Sequence, residues 1–300
     1  MCDVPTSGSY ADLLEDANVD AIVIATPAAA HPGMVELAAA AGKSILCEKP
    51  LALEIAAAES AVAAANRAGV LLQIGFHRRF DADFRLAKAR VERDELGVIY
   101  SYSGSMRDIE PPEPDPSWGD RQALLHDSAC HDLDAARWLV GEIDEITTVG
   151  ATLSSEAVRR AGQIDHAILA LRFENGSVGV IDSSLASGYG FDCRCEIVGS
   201  KATIRIDNPY TSNVEWLTDR RTGFQRTRTF LDRFERTYPN ELDAFVEAVR
   251  CGADPLVSGE DGLAAVVLTI AAERSFASGK TVRLSRRADG PVLRYAINSA

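Results

Sequence analysis

Short apolar runs alternate with helical stretches through the first quarter of the chain. Ala21-Ile-Val-Ile-Ala-Thr26, Ser44-Ile-Leu-Cys47 and Val70-Leu-Leu-Gln-Ile-Gly-Phe76 each read as a strand. Between them lie a helical stretch from His31 to Ala41, stopped by Gly42, and an alanine-rich one from Glu54 to Ala68, stopped by Gly69. Apolar runs without strict alternation suit strands covered on both faces, and the intervening helices make each crossover a βαβ unit. Such crossovers are right-handed, and ligands sit at the carboxyl ends of the strands.

The rhythm then changes. A helical stretch from Asp81 to Glu95 leads through Gly97 into a strand from Val98 to Met106. A loop with Pro111, Pro112, Pro114 and Pro116 follows, then a helix from Asp127 to Val140, stopped by Gly141. Asp165–Phe173 and Ser177–Ser184 flank Glu174-Asn175-Gly176, a strong hairpin signal. Two more hairpins are expected, from Cys193–Val198 with Ala202–Asp207 and from Asn213–Thr218 with Gln225–Phe230. Helices over Phe234–Arg250 and Glu260–Ala277, a short strand Thr281–Leu284 and a polar tail close the chain. The expected class is α/β followed by α+β: a parallel-sheet domain over residues 1–76, then a domain over 77–300 built on a large open antiparallel sheet.

Composition narrows the function. The 300 residues carry a formal net charge of −13, which repels phosphate backbones and anionic lipid, so nucleic acid and membrane surfaces are not expected partners. Met1-Cys-Asp-Val-Pro5 has neither the basic stretch nor the apolar core of a secretory signal, and Leu263–Ala272 is too short to span a bilayer. Six scattered cysteines fit free thiols in a reducing, cytoplasmic setting better than a disulfide framework. Cys193 and Cys195 would share one face of a strand, but no further ligands for a metal stand near them, and no metal is expected. The chain contains no G-x-G-x-x-G and no phosphate-binding G-x-x-x-x-G-K-[ST].

Three constellations carry candidate chemistry. Cys47-Glu48-Lys49-Pro50 puts a lysine at the carboxyl end of a strand, next to a bond that is a candidate for the cis isomer. The plainer alternative is a surface lysine before a helix-starting proline. In Asp127-Ser-Ala-Cys-His131-Asp132-Leu-Asp134, Asp127 and His131 are i and i+4 and share a helix face, which Asp134 continues. A carboxylate one turn from an imidazole orients the ring and prepares it as a general base. Here the alternatives are a capping Asp beside a hydrogen-bonded His, or a metal site from His126, Cys130 and His131. Thr26-Pro27, with His31 beyond, lies in the loop leaving the first strand, well placed to touch a ligand.

Together these motifs resemble the glucose–fructose oxidoreductase / inositol dehydrogenase (Gfo/Idh/MocA) family. The resemblance rests on Val19–Pro27 with His31, Gly42–Pro50 with Glu-Lys-Pro, Gln73-Ile-Gly-Phe-His-Arg-Arg-Phe80, and Asp127–Gly141 with Asp-x-x-x-His. Asn240–Val246 and Ser258–Gly262 match its closing helices, and Gly188–Gly199 is most similar to the inositol 2-dehydrogenase branch. The resemblance implies a Rossmann domain and hydride transfer from a secondary hydroxyl of a polyol or sugar to NAD or NADP. It implies that Lys49 binds the reacting hydroxyl, His131 takes its proton, and Asp127 holds His131 and contacts a neighbouring hydroxyl. Thr26, Pro27, His31, Glu48 and Lys49 would line the cofactor; Arg79, Tyr189 and Asp192 would contact substrate.

Two departures accompany it. Gly119–His126 lacks the family's usual glycine pair, and the first 40–50 residues of a family member, with the glycine-rich turn and the ribose-reading strand, have no counterpart in the 300 residues. The expectation is an N-terminally shortened reading of a longer dehydrogenase; the competing one is a non-catalytic sugar-binding or oligomer-forming remnant. A homo-oligomer, dimer or tetramer, is expected through the open sheet, one face of which needs cover.

Overall fold

In a computed structural model that describes residues 6–289 and 292–299, the apolar runs of the first quarter pair side by side. Helix α1 (Tyr10–Glu15) precedes β1 (Ala21–Ile24), α2 (His31–Ala40), β2 (Ser44–Cys47), α3 (Ile55–Ala68) and β3 (Leu72–Ile74). The strands form a parallel sheet in the order β1-β2-β3, with Ile45 opposite Ile22 on one side and Leu72 on the other. α3 buries Ala58, Ala61, Val62 and Ala65, the i, i+3, i+4, i+7 stripe of an amphipathic helix. α1 has no buried residue, which is why no apolar periodicity announces it; Ser9 caps it by accepting from the Asp12 amide.

The rest of the chain runs α4 (Ala82–Glu92), β4 (Ile99–Arg107), α5 (Cys130–Val140), β5 (Ile143–Ala151), α6 (Glu156–Arg160), β6 (His166–Phe173), β7 (Val178–Ser184), β8 (Asp192–Gly199), β9 (Thr203–Ile206), β10 (Tyr210–Leu217), β11 (Thr222–Arg226), α7 (Phe230–Arg233), α8 (Thr237–Cys251), α9 (Gly259–Ser278), β12 (Val282–Asp289) and β13 (Val292–Ser299). Eight strands join in the order β13-β12-β5-β6-β7-β4-β8-β9, while β10 and β11 form a separate ribbon. The expected hairpins are present, β6 and β7 turning at Asn175-Gly176, where Gly176 has φ +89°. One pairing departs from an all-antiparallel sheet. β4 inserts between β7 and β8 and runs parallel to β7, so the sheet is mixed. The polar tail becomes β13, paired along its length with β12.

One face of this sheet is buried through Tyr102, Ile146, Leu169, Leu171, Ile181, Cys193, Cys195 and Ile197. α5 and α9 pack on the sheet, and α9 also meets α3 and β3. α9 therefore joins the two sheets and is buried nearly all round from Leu263 to Ala272, which explains its lack of a polar face. Its approach to β3 requires glycine. A Cβ on Gly259 would come within 2.8 Å of the Leu72 side chain, and one on Gly262 within 2.7 Å of Ile74. Cys47, Cys130, Cys193, Cys195 and Cys251 are free thiols; Cys2 lies outside the described residues. No helix among the described residues is long and apolar enough to cross a membrane.

Candidate active site

β2 and β3 end on a cavity of about 230 Å³. β2 delivers Glu48 and Lys49, and the turn after β3 delivers His77 and Arg78. Asp127, Ser128 and His131 enter from the start of the α5 segment, and Met106 and Asp108 from the end of β4. Phe191, Phe230, Phe234 and Tyr238 complete the wall. The fold brings Lys49 together with Asp127, 78 positions away, and His131, at the strand ends where open α/β sheets hold ligands.

Lys49 precedes a cis bond to Pro50. Its Nζ donates to the Asp127 carbonyl at 3.0 Å and to the Asp127 carboxylate. Burial opposes the charge on Lys49, but Asp127, Cys130 and Glu48 together outweigh it and hold the ammonium above its ordinary range. The lysine is therefore a fixed cation in the pocket, not the surface side chain of the alternative reading.

His131 is buried, with Phe76 and His77 edge-on to its ring at 5.7 and 4.7 Å between centroids. Its Nδ1 is sealed from solvent, so the ring meets the pocket through the edge that carries Nε2. Burial, then Lys49, His77 and Arg78, push its pKa well below the ordinary 6.5, and the imidazole is neutral.

The expected Asp127–His131 pairing needs correction. Leu124–Ala129 is a π-helical segment, whose wider turn breaks the i, i+4 relation of a regular helix. Asp127 turns to Lys49, and among the described residues no hydrogen bond joins it to His131. Asp134 does not continue the pocket face either; it is buried against Arg79. His126 faces Glu273 at 3.5 Å rather than sharing a ligand set with Cys130 and His131. Among the described residues no group of His, Cys, Asp or Glu is arranged to hold a metal ion.

Arg79 is likewise corrected as a substrate contact. Its guanidinium is buried in a fork with Asp134, 2.6 and 3.0 Å, and reaches Asp261 at 3.1 Å. Asp192 is fully buried, accepting from Tyr189 Oη at 2.6 Å, Arg194 Nε at 2.7 Å and Asn208 Nδ2 at 3.1 Å, and pairing with Arg107. Neither Tyr189 nor Asp192 lines the cavity; both brace the end of β4 that carries Asp108. Thr26, Pro27 and His31 also lie outside its lining. The His31 ring ties the loops together, its nitrogens 2.7 Å from the Thr26 carbonyl and 2.8 Å from the Pro50 carbonyl. Glu48 does line the cavity, and burial raises its pKa against the opposing pull of Lys49.

Asp108, His77, Tyr238 and the phenylalanine wall escaped the sequence reading. Asp108 sits just past a strand end, and His77 lies inside the Gln73–Phe80 motif, so position alone offered a signal for these two. The phenylalanines converge only through the tertiary fold. Burial and the Asp127 carboxylate push Asp108 up to about 6.

The three parallel strand ends, with Lys49 and Glu48 on the cavity, fit the nicotinamide end of a dinucleotide. No glycine-rich turn for its pyrophosphate stands in the 300 residues.

The comparisons agree with this architecture. Residues 2–76 match the model "Oxidoreductase family, NAD-binding Rossmann fold", and residues 88–284 match "Oxidoreductase family, C-terminal alpha/beta domain". The chain is 37% identical over 279 residues to myo-inositol 2-dehydrogenase of Thermotoga maritima, covering 91% of this chain and 82% of that protein. The structure of a myo-inositol dehydrogenase from Corynebacterium glutamicum superposes with a TM-score of 0.85 at 30% identity, covering 92% of this chain and 84% of that one. That of scyllo-inositol dehydrogenase from Lactobacillus casei, with bound NAD(H) and scyllo-inositol, gives 0.82 at 27%, covering 91% and 82%.

Proposed function

The chain belongs to the Gfo/Idh/MocA oxidoreductase family, and we propose that it is a nicotinamide-dependent dehydrogenase oxidising a secondary hydroxyl of an inositol-type polyol. One observation carries this reading: a fixed lysine cation, its carboxylate partner and a neutral imidazole converge on one cavity at the strand ends. A bound nicotinamide dinucleotide would supply the acceptor for the carbon-bound hydrogen and its electron pair. Lys49 and Glu48 are the residues placed to hold its nicotinamide end, with Thr26, Pro27 and His31 shaping the adjoining loop.

The side chains supply the proton chemistry. Lys49 donates to the reacting oxygen and stabilises its developing negative charge. His131 takes the hydroxyl proton through Nε2. The cation that acidifies the hydroxyl also lowers the proton affinity of His131, so both groups shift in the same direction. Asp127 anchors Lys49 and, half exposed, keeps acceptor capacity for a neighbouring hydroxyl. Asp108 accepts from another, while Phe191, Phe230 and Phe234 face the ring carbons. A site built from such hydrogen bonds rejects analogues that lack a hydroxyl. We place the boundary between the cofactor-binding part, 1–76, and the substrate-binding and oligomer-forming part, 77–300, at the end of the last parallel strand.

A second reading is a sugar-binding remnant without catalysis. Titration calorimetry with NAD, NADP and myo-inositol separates the two. Micromolar binding of either dinucleotide supports the dehydrogenase; polyol binding with neither dinucleotide bound supports the remnant.

A further inference from the structure

A second cavity, an open groove of about 470 Å³, adjoins the mouth of the catalytic pocket. Three chain segments line both. Asp108, Phe191 and Phe230 face the pocket, and Ile109, Gly190 and Arg228, one or two residues along, face the groove. Phe230 lines the pocket and is 45% exposed, so it stands at the mouth. Arg228 is two residues before it, within about 7 Å along the backbone.

The groove is basic in a chain of net charge −13. Arg226 and Arg228 both line it, both are exposed, and neither guanidinium has an ion-pair partner among the described residues. The Arg226 guanidinium lies over the Tyr189 ring at 5.8 Å, and Tyr189 is itself tied to Asp192 through its Oη at 2.6 Å. This contact holds the cation in place without neutralising it. The acidic neighbour of Arg228 is Asp232, whose carboxylate accepts from the backbone N–H groups of Arg228 and Thr229 in the cap of α7. The catalytic pocket, by contrast, keeps its cations paired, Lys49 with Asp127 and Arg78 with Asp132, beside Glu48 and Asp108.

We propose that this groove holds a phosphoryl group of the substrate, so that the preferred polyol is a phosphate monoester and Arg226 and Arg228 determine that preference. The proposal rests on the reading of the adjoining pocket as a polyol dehydrogenase site. Each guanidinium presents a planar fork that matches two phosphate oxygens. A phosphate monoester carries close to two negative charges and a carboxylate one, so a pair of arginines favours the phosphoryl group. Paired cations inside and free ones outside orient the ester with its ring in the pocket and its charge in the groove.

Titration calorimetry on the full chain compares myo-inositol, the myo-inositol monophosphate isomers, glucuronate and inorganic phosphate. At least one monophosphate is expected to bind about tenfold or more tightly than myo-inositol, and more tightly than glucuronate, with inorganic phosphate competing against it. The advantage falls steeply as salt is raised, whereas myo-inositol binding does not. In the double variant Arg226→Ala, Arg228→Ala the ratio of the two affinities falls to about one. Equal affinity for myo-inositol and every monophosphate, an unchanged ratio in the double variant, or inorganic phosphate that binds without competing, overturns the proposal. If the variant does not fold, the salt dependence of the wild type decides, and a salt-independent ratio overturns it. A chain that prefers a monophosphate through these arginines but reduces no nicotinamide would refute the dehydrogenase reading and leave the groove standing. Turnover of myo-inositol without any preference for a monophosphate would do the reverse.

Discussion

At Asp108 the pocket holds a carboxyl that ionises at about 6, because burial and the nearby Asp127 charge both disfavour its anion. A raised value means the group is neutral below that pH and an acceptor-only carboxylate above it. The KM for polyol is therefore expected to rise as pH falls through about 6. The change is about tenfold, the difference between a charge-assisted and a neutral hydrogen bond. In Asp108→Asn the dependence disappears, which initial rates across pH would check. Lys49 and His131 were legible because each stands in a short motif whose position on a strand end or helix start is local. Arg79 misled for the same reason. It lies in a motif that borders the pocket, but its direction depends on Asp134 and Asp261, the latter 182 positions away.

Among the elements, the turn after β3, α5 and α9 are locked by buried charge. Arg79 bridges Asp134 on α5 to Asp261 at the start of α9, and Arg137 reaches the same Asp261 oxygen at 2.6 Å. Asp261 also closes the capping box with Ser258. Its carboxyl is held down to about 2 against burial by Arg79 and Arg137. Arg79→Ala leaves buried carboxylates without this counter-ion and is expected to destabilise the chain by about 3–5 kcal/mol, measured by urea unfolding. If stability is unchanged and only substrate KM rises, Arg79 is a substrate contact after all. The βαβ units and the hairpins were readable from apolar runs and turn residues, which are local signals. The insertion of β4 beside β7 was not, because nothing in the residues of β4 specifies a partner about 77 positions on. The π segment was hidden too, since its residues, Leu124–Ala129, suit an ordinary helix equally well.

At the scale of the whole molecule, the eight-stranded sheet covers one face with helices and leaves the other open. The open face carries Val149 opposite Ile168, and Val178 and Val180 on the next strand, each more than a third exposed. We propose that a second copy of the chain covers it. Sedimentation is expected to give a dimer or tetramer, and Val180→Glu to weaken it at least about tenfold by burying an unpaired charge; a monomeric wild type would remove this proposal.

The proposed polyol dehydrogenase site joins Lys49, Asp127 and His131. It is tested most directly by following nicotinamide reduction spectrophotometrically with myo-inositol, comparing wild type with His131→Ala. Polyol-dependent reduction by the wild type and a loss of about 10²–10⁴-fold in the variant are expected. No polyol-dependent reduction by the wild type, or equal rates in both, would contradict it.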